Sequence, residues 1–337
     1  MPSILASPWW VAQLATGAKS FRDNPILGSP RLNAMGLHTR RAALAHRLAW
    51  ARRARLTRGL APEDRAAFDR DGFVVIRDFL PPAMFTALRD AVLAERFEAR
   101  EMRQGNTITR RIAIGPGFLR TVPAAKALLQ HPRFRALCRY VGSFESEPLH
   151  YIQAILTDSA VPDPDPQTRL HADTFHPTLK AWFFLNDVEQ EDGPFSYVPG
   201  SHRLSQERLA WERARSMTAQ ASSDFLSARG SLRIDESELA ALGLPPAQRF
   251  PVPANTLVVA DTCGFHARVA ASRPSRRLEL WSFSRRNPFV PWTGGDLLSI
   301  PGIAERRIGA MWQIRDSLQK WMGQPWQPRG NKFVLDD

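Results

Sequence analysis

The spacing of hydrophobic positions changes near residue 145, from helical in the first part of the chain to strand-like beyond it. Leu37 to Leu56 is rich in Ala, Leu and Arg and predicts a helix with Leu37, Leu44, Leu48 and Ala51 on one face. Pro62-Glu63-Asp64 starts a second helix, with proline and acids in its first turn. After the Asp71-Gly72 turn, the β-branched and aromatic run Phe73-Val74-Val75-Ile76 predicts a buried strand. Pro81-Pro82 opens another helix, with Phe85, Leu88, Val92 and Leu93 inward. A helical stretch from 124 to 140 is interrupted at His131-Pro132.

Beyond residue 145 the apolar runs are short. Residues 149–156, 182–185, 195–198, 257–260 and 278–283 predict strands. A polar helical insert runs from 205 to 217, and a weaker one from 237 to 242. Helices first, then short strands split by Gly and Pro turns, predict an α+β protein with a β-sandwich or jelly-roll core. The expected organisation is a basic N-terminal arm over 1–60 and one globular domain over 61–337.

Composition is consistent with this picture. The 337 residues are 44% hydrophobic and 23% charged, ordinary values for a globular chain with a full core. No apolar run approaches the roughly 18–20 residues that span a bilayer. Pro8-Trp9-Trp10-Val11-Ala12 is too short for a secretion signal and no basic residue precedes it. Two cysteines, Cys138 and Cys263, exclude a disulfide scaffold and a Cys-rich zinc site, and a cytoplasmic compartment is expected.

Charge changes the picture in one place. Arg31, Arg40, Arg41, Arg47, Arg52, Arg53, Arg55 and Arg58 fall between residues 31 and 60 with no acid among them, eight of the net +12. Such a segment is either a solvated basic helix or a contact for phosphates, chiefly those of an anionic membrane at the inner face of the cell. Arg55 falls on the leucine face and makes the amphipathicity imperfect. No zinc-finger, homeodomain or RNA-recognition pattern accompanies the charge, so nucleic acid is not the expected partner.

The segment richest in chemistry is Leu170-His171-Ala172-Asp173-Thr174-Phe175-His176. On an extended strand, residues i and i+2 share a face, so His171 and Asp173 present an imidazole and a carboxylate side by side. These are two of the three ligands of a 2-His-1-carboxylate triad, the donor set of non-haem Fe(II) oxygenases. Alone, a His-x-Asp tripeptide is weak evidence. Downstream come Trp182, Leu185 and Asp187-Val188, then Asp192-Gly193-Pro194 and Val198-Pro199-Gly200-Ser201-His202. Farther on are Asp261 to His266, and Arg276-Arg277 leading into Leu278-Glu279-Leu280-Trp281.

In this order, and with the opening Asp71-Gly72-Phe73-Val74-Val75, the chain resembles the phytanoyl-CoA dioxygenase-like family of Fe(II)/2-oxoglutarate-dependent oxygenases over about residues 65–285. The resemblance implies a double-stranded β-helix with the metal at one mouth of the barrel. It implies His171, Asp173 and His266 as iron ligands, His266 lying 93 residues after Asp173 (266 − 173). It also implies an arginine about eleven positions beyond the distal histidine, to hold the far carboxylate of 2-oxoglutarate. Arg277 has that spacing (266 + 11), Arg276 is one residue earlier, and strand alternation lets only one point inward. Trp182 is implied as a wall of the cosubstrate pocket, with Gln153 in contact with it. Related halogenases carry a small residue at the carboxylate position, so Asp173 points to hydroxylation or another oxidative outcome.

The expected activity is therefore oxidation of an unactivated C–H bond with Fe(II), 2-oxoglutarate and dioxygen, on a small-molecule or lipid-linked substrate. Two alternatives share features with it. A cupin-like metal hydrolase or isomerase uses the same triad but has no need of Arg277 or Trp182. A membrane- or nucleic-acid-binding protein with a vestigial barrel has no need of an intact triad. Among the remaining polar residues, His176 is expected to face away from the metal and His202 to sit in a turn. Asp187 and Asp261 are expected to satisfy loop backbone groups, and Cys263 to be a small buried residue. Arg110-Arg111 is either a solvated pair or a cationic element at the active-site mouth.

Overall fold

A computed structural model describes residues 7–336. Eleven strands are present among them: β1 (Phe73–Ile76), β2 (Phe97–Gln104), β3 (Thr107–Ala113), β4 (Leu149–Thr157), β5 (Leu179–Phe184), β6 (Phe195–Tyr197), β7 (Gln248–Phe250), β8 (Leu257–Asp261), β9 (His266–Arg268), β10 (Ser275–Ser284) and β11 (Gln327–Lys332). Eight of them form one sheet in the order β1-β8-β5-β10-β4-β3-β2-β11, and β7-β6-β9 form a second. The smaller sheet continues through single bridges from His171 to both His266 and Arg233. The expected jelly roll is this pair of sheets.

Side-chain alternation decides what lies between the sheets and what lies outside. On β5, Leu179, Ala181 and Phe183 join a core with helix residues such as Leu88, Val92, Leu137 and Val141, while Trp182 and Phe184 face the smaller sheet with Phe195, Tyr197 and Phe250. On β10, Leu278 and Leu280 face the helices and Trp281 faces inward. Arg277 and Glu279 share the inward face of Trp281. The interior of the sandwich is therefore partly polar, and that polar part is the candidate site.

The predicted helices are found at Leu37–Arg53, Pro62–Asp71, Pro82–Ala94, Pro132–Gly142, Gln206–Thr218 and Glu236–Ala241. Leu93 is exposed rather than inward. Strands β2, β3, β7, β9 and β11 and the helix Arg307–Ser317 were not legible from the pattern.

The N-terminal segment differs most from its expectation. In the helix Leu37–Arg53 the buried side is Ala42, Ala45 and Ala49 with His38, Arg41, His46, Arg52 and Arg53, and Leu44 is exposed. The reason is the surface it packs on, which offers carbonyls and carboxylates. Arg41 donates to the Leu14, Thr16 and Ala18 carbonyls at 2.8–3.0 Å. Arg52 donates to the Ser143 and Pro288 carbonyls at 3.0 and 3.1 Å. Arg53 donates to the Tyr140 carbonyl at 3.1 Å and to Asp261 Oδ2 at 2.7 Å. The sequence suggested a basic N-terminal arm over 1–60; in the structure its helix Leu37–Arg53 packs against the body that carries the site. Arg31, Arg40, Arg47, Arg55 and Arg58 remain exposed. No helix among the described residues is long and apolar enough to cross a membrane.

Candidate metal centre

His171 and His266 pair across the narrow part of the smaller sheet, each backbone N–H donating to the other's carbonyl at 3.0 Å. The segment after His171 is extended but too irregular to be a strand. Ala172 N donates to the Leu232 carbonyl at 3.0 Å, and Asp173 N donates in the opposite direction to the Thr262 carbonyl at 2.9 Å. The alternation expected of a strand is thus kept by loop backbone on either side, and His171 and Asp173 do share a face. Gly264 allows the close approach on the other side. A Cβ there would lie inside the radius of the Tyr197 hydroxyl, which donates to the Asp261 carbonyl at 2.7 Å.

One donor atom from each of His171, Asp173 and His266 lies within 4.8 Å of the others. His171 Nε2 is 3.8 Å from Asp173 Oδ1, and His266 Nε2 is 3.7 Å from Asp173 Oδ2. Both imidazoles donate through Nδ1 to a backbone carbonyl, His171 to Arg169 at 2.8 Å and His266 to Gly264 at 3.0 Å. That fixes the tautomer and leaves each Nε2 lone pair turned to the centre. His266 Nε2 is buried without a hydrogen-bond partner. Burial brings the His266 imidazole to about 4. Burial, together with His266, holds His171 well below its ordinary value. Both are therefore neutral, the form that ligates a metal. Burial alone would raise the Asp173 carboxyl; the Lys180 ammonium 2.5 Å away keeps it ionised, well below its usual range. Two neutral imidazoles and a carboxylate converging on one point, with a buried unpartnered nitrogen, fit an Fe(II)-type triad.

Beside the triad lies a cavity of about 210 Å³, lined among others by Gln153, Trp182, Arg268 and Arg277. Arg277 points inward and is buried, with Nη1 on the Gly193 carbonyl at 2.7 Å and Nε 3.2 Å from Glu279. Arg276 points outward and donates to the Leu335 carbonyl at 2.9 Å. Gln153 donates to the fully buried Glu279 at 2.7 Å and accepts from Arg111 Nε at 2.8 Å. Trp182 stacks on Phe195, ring centroids 4.4 Å apart, and Phe195 in turn packs near His266.

Other residues singled out in the sequence fall elsewhere. His176 is buried outside the triad, with Nδ1 donating to the Pro177 carbonyl at 3.0 Å. His202 is in a turn and buried against the Phe68 and Trp50 rings. Asp187 accepts from Ala254 N at 2.7 Å, and Asp261 from Thr178 N and Cys263 N at 2.9 and 3.1 Å. Asp261 also holds Arg53, a role the sequence did not suggest. Arg110 is turned away from the site and pairs with Glu101. Arg111 is turned into it, its guanidinium between the Trp281 and Trp326 rings at 4.0 and 4.3 Å.

Two lysines were missed. Lys180 is two residues before Trp182 on β5, and alternation places it on the same inward face, so a signal existed. Lys19 donates to the backbone carbonyl of Asp173. Burial lowers its ammonium to about 8. Nothing near residue 19 in the sequence announces this role.

An antiparallel jelly roll with a 2-His-1-carboxylate cluster between its sheets is the architecture of non-haem metal oxygenases. The phytanoyl-CoA dioxygenase family model matches residues 68–243, just over half of the chain, and the chain belongs to that family of Fe(II)/2-oxoglutarate-dependent oxygenases. The match includes His171 and Asp173 and ends before His266 and Arg277. No curated protein matches the chain. Among solved structures, it is similar to the α-ketoglutarate-dependent epimerase SnoN of nogalamycin biosynthesis, at 22% identity, 66% of this chain, 81% of that chain and TM-score 0.44. The carbocyclase SnoK of the same biosynthesis gives 20% identity, 67% and 83% coverage and TM-score 0.42. HygX from Streptomyces hygroscopicus, with nickel and 2-oxoglutarate bound, gives 20% identity, 72% and 92% coverage and TM-score 0.42.

Proposed function

We propose that this protein is an Fe(II)- and 2-oxoglutarate-dependent oxygenase that hydroxylates an unactivated C–H bond. The observation that carries the proposal is the convergence of His171, Asp173 and His266 beside a cavity walled by the buried Arg277. With 2-oxoglutarate and dioxygen, the metal supplies oxidative removal of hydrogen from carbon; the protein supplies placement and exclusion of water.

In this reading His171 and His266 hold Fe(II) through Nε2, their rings fixed by the Arg169 and Gly264 carbonyls. Asp173 contributes the one negative ligand. Lys180 keeps that carboxylate ionised and oriented. Arg277 receives the far carboxylate of 2-oxoglutarate, its guanidinium fixed by Gly193 and Glu279. Gln153 and Arg111, in register with Glu279 on the neighbouring strands β4 and β3, fix its carboxylate in place, and Trp182 closes the side of the pocket. Asp173 fills the position that a halogenase leaves to chloride, which favours hydroxylation. A metal hydrolase would leave the buried Arg277–Glu279–Gln153 array without a use.

The test is succinate formation from 2-oxoglutarate by the purified protein. Succinate should require both Fe(II) and oxygen, and a chelator should abolish it. Metal-dependent ester or amide hydrolysis without succinate would favour the hydrolase reading.

A further inference from the structure

A second cavity, of about 390 Å³, adjoins the triad at Asp173 and is not lined by Arg277. It shares Arg111, Asp173, Lys180 and Trp281 with the first. Five cations line it: Lys19, Arg111, Lys180, Arg285 and Arg315. Among the described residues Asp173 is the one carboxylate that lines it, and the metal would claim that.

Lys19, Arg111, Lys180 and Arg315 are half-buried and Arg285 is exposed at the rim, and their environment is unlike that of the fully buried cations. Arg53, Arg110 and Arg208 each meet a carboxylate. Arg52 places its guanidinium on carbonyls and the Ser143 hydroxyl. In the cavity, Lys180 reaches only Asp173. Lys19 meets the Asp173 carbonyl, and Arg285 the Gly17 carbonyl at 2.8 Å. Arg111 has Gln153 and two indole faces. These groups retain donors directed at a common space, and crowding like charges around it is unfavourable until an anion enters.

We infer that this cavity is the substrate's anion subsite: the molecule oxidised is a small organic anion whose carboxylate, phosphate or sulfate lies among Lys19, Lys180 and Arg285, next to the metal. The inference rests on the oxygenase reading for the word substrate, though not for the anion site itself. The volume suits a small molecule, within the roughly 300–1,000 Å³ of ordinary ligand pockets. The Trp281, Trp312 and Trp326 side chains offer apolar wall to the rest of the molecule. 2-Oxoglutarate does not account for Lys19, Arg285 or Arg315, which line this cavity and not the one that holds Arg277. Lys19 gives the N-terminal segment, which lies outside the family match, a part in choosing the substrate.

Benzoate and its neutral isostere benzamide are the probes. Each is titrated calorimetrically, without oxygen, into protein loaded with Fe(II) and saturating 2-oxoglutarate. Benzoate should bind at least tenfold more tightly than benzamide. Lys19→Met and Arg285→Met should each weaken benzoate at least tenfold and leave benzamide unchanged, whereas Lys19→Arg should retain benzoate binding. Equal binding of the two probes by the unaltered protein overturns the inference, and that comparison needs no variant to fold. So does displacement of benzoate by 2-oxoglutarate, which would place it at Arg277. The same titration of metal-free protein separates the two readings. Anion preference in a protein that yields no succinate keeps the subsite and discards the oxygenase; succinate without anion preference discards the subsite alone.

Discussion

Arg53 and Asp261 form an ion pair at 2.7 Å in which both side chains are almost wholly buried. The pair joins the N-terminal helix to the turn that delivers His266. Asp261 also accepts from Thr178 N and Cys263 N, so one carboxylate joins that turn to the segment entering β5. Burial alone would raise the Asp261 carboxyl, but Arg53 and these backbone donors hold it below its ordinary value. The helix that reads as a free basic arm is thereby a support of the metal site.

Removing one partner of such a pair leaves an uncompensated buried charge. Arg53→Met should destabilise the protein by about 3–5 kcal/mol. The loss is read as a shift of the urea unfolding midpoint at constant slope. Arg55→Met, on the exposed side, should fall within roughly 0.5 kcal/mol of the unaltered protein. Equal stability of both variants would mean that Arg53 is not structural.

His171→Ala, Asp173→Ala and His266→Ala should each abolish Fe(II)-dependent conversion of 2-oxoglutarate to succinate. Circular dichroism should remain that of the folded protein, because each residue acts through the metal. Turnover at the unaltered rate in any one of the three removes that residue from the ligand set.

Arg277→Met should weaken 2-oxoglutarate by about 1.5–3 kcal/mol, the scale of hydrogen bonds to a charged group, or roughly 10- to 150-fold in affinity. Arg276→Met should change it little, since Arg276 points outward. The measurement is the 2-oxoglutarate concentration for half-maximal succinate formation. Equal effects of the two substitutions would contradict a single anchor.

That only one of Arg276 and Arg277 points inward was legible in advance; the structure makes it Arg277, because Leu278 and Leu280 take the helix-facing side of β10 and leave the odd-numbered residues inward. The hairpin of β2 and β3 was not legible. Its residues include Arg100, Glu101, Arg110 and Arg111, a charged run without the apolar alternation that marks a strand. In the structure Arg100 pairs with Asp316 and Arg110 with Glu101. Asp316 is 216 residues from Arg100, a partner that local periodicity does not reveal. The N-terminal helix misled for the same reason: its buried face is alanine with arginine, chosen to meet carbonyls and Asp261. The triad was legible because His171 and Asp173 are adjacent and His266 stands in a familiar order of motifs; Lys19, far from all of them, was not.

Buried histidines contribute to the loss of stability in acid. Burial brings His202 to about 3 and His46 to about 4, against roughly 6.5 for an exposed imidazole. Below pH about 6.5 the unfolded chain therefore binds more protons than the folded one, and stability falls as pH drops toward 4 and 3. His202→Phe removes one such group from among the Trp50 and Phe68 rings. Urea unfolding across pH 7 to 4 should show a shallower decline for the variant. An unchanged decline would exclude His202 as a source.

The central claim, that His171, Asp173, His266 and Arg277 together hold Fe(II) and 2-oxoglutarate, is tested most directly by visible absorption without oxygen. Adding 2-oxoglutarate to the Fe(II)-loaded protein should produce the weak charge-transfer band of the chelated cosubstrate. The band should be lost in His266→Ala and require at least tenfold more 2-oxoglutarate in Arg277→Met. A protein that binds Fe(II) but shows no band at saturating 2-oxoglutarate would contradict the account.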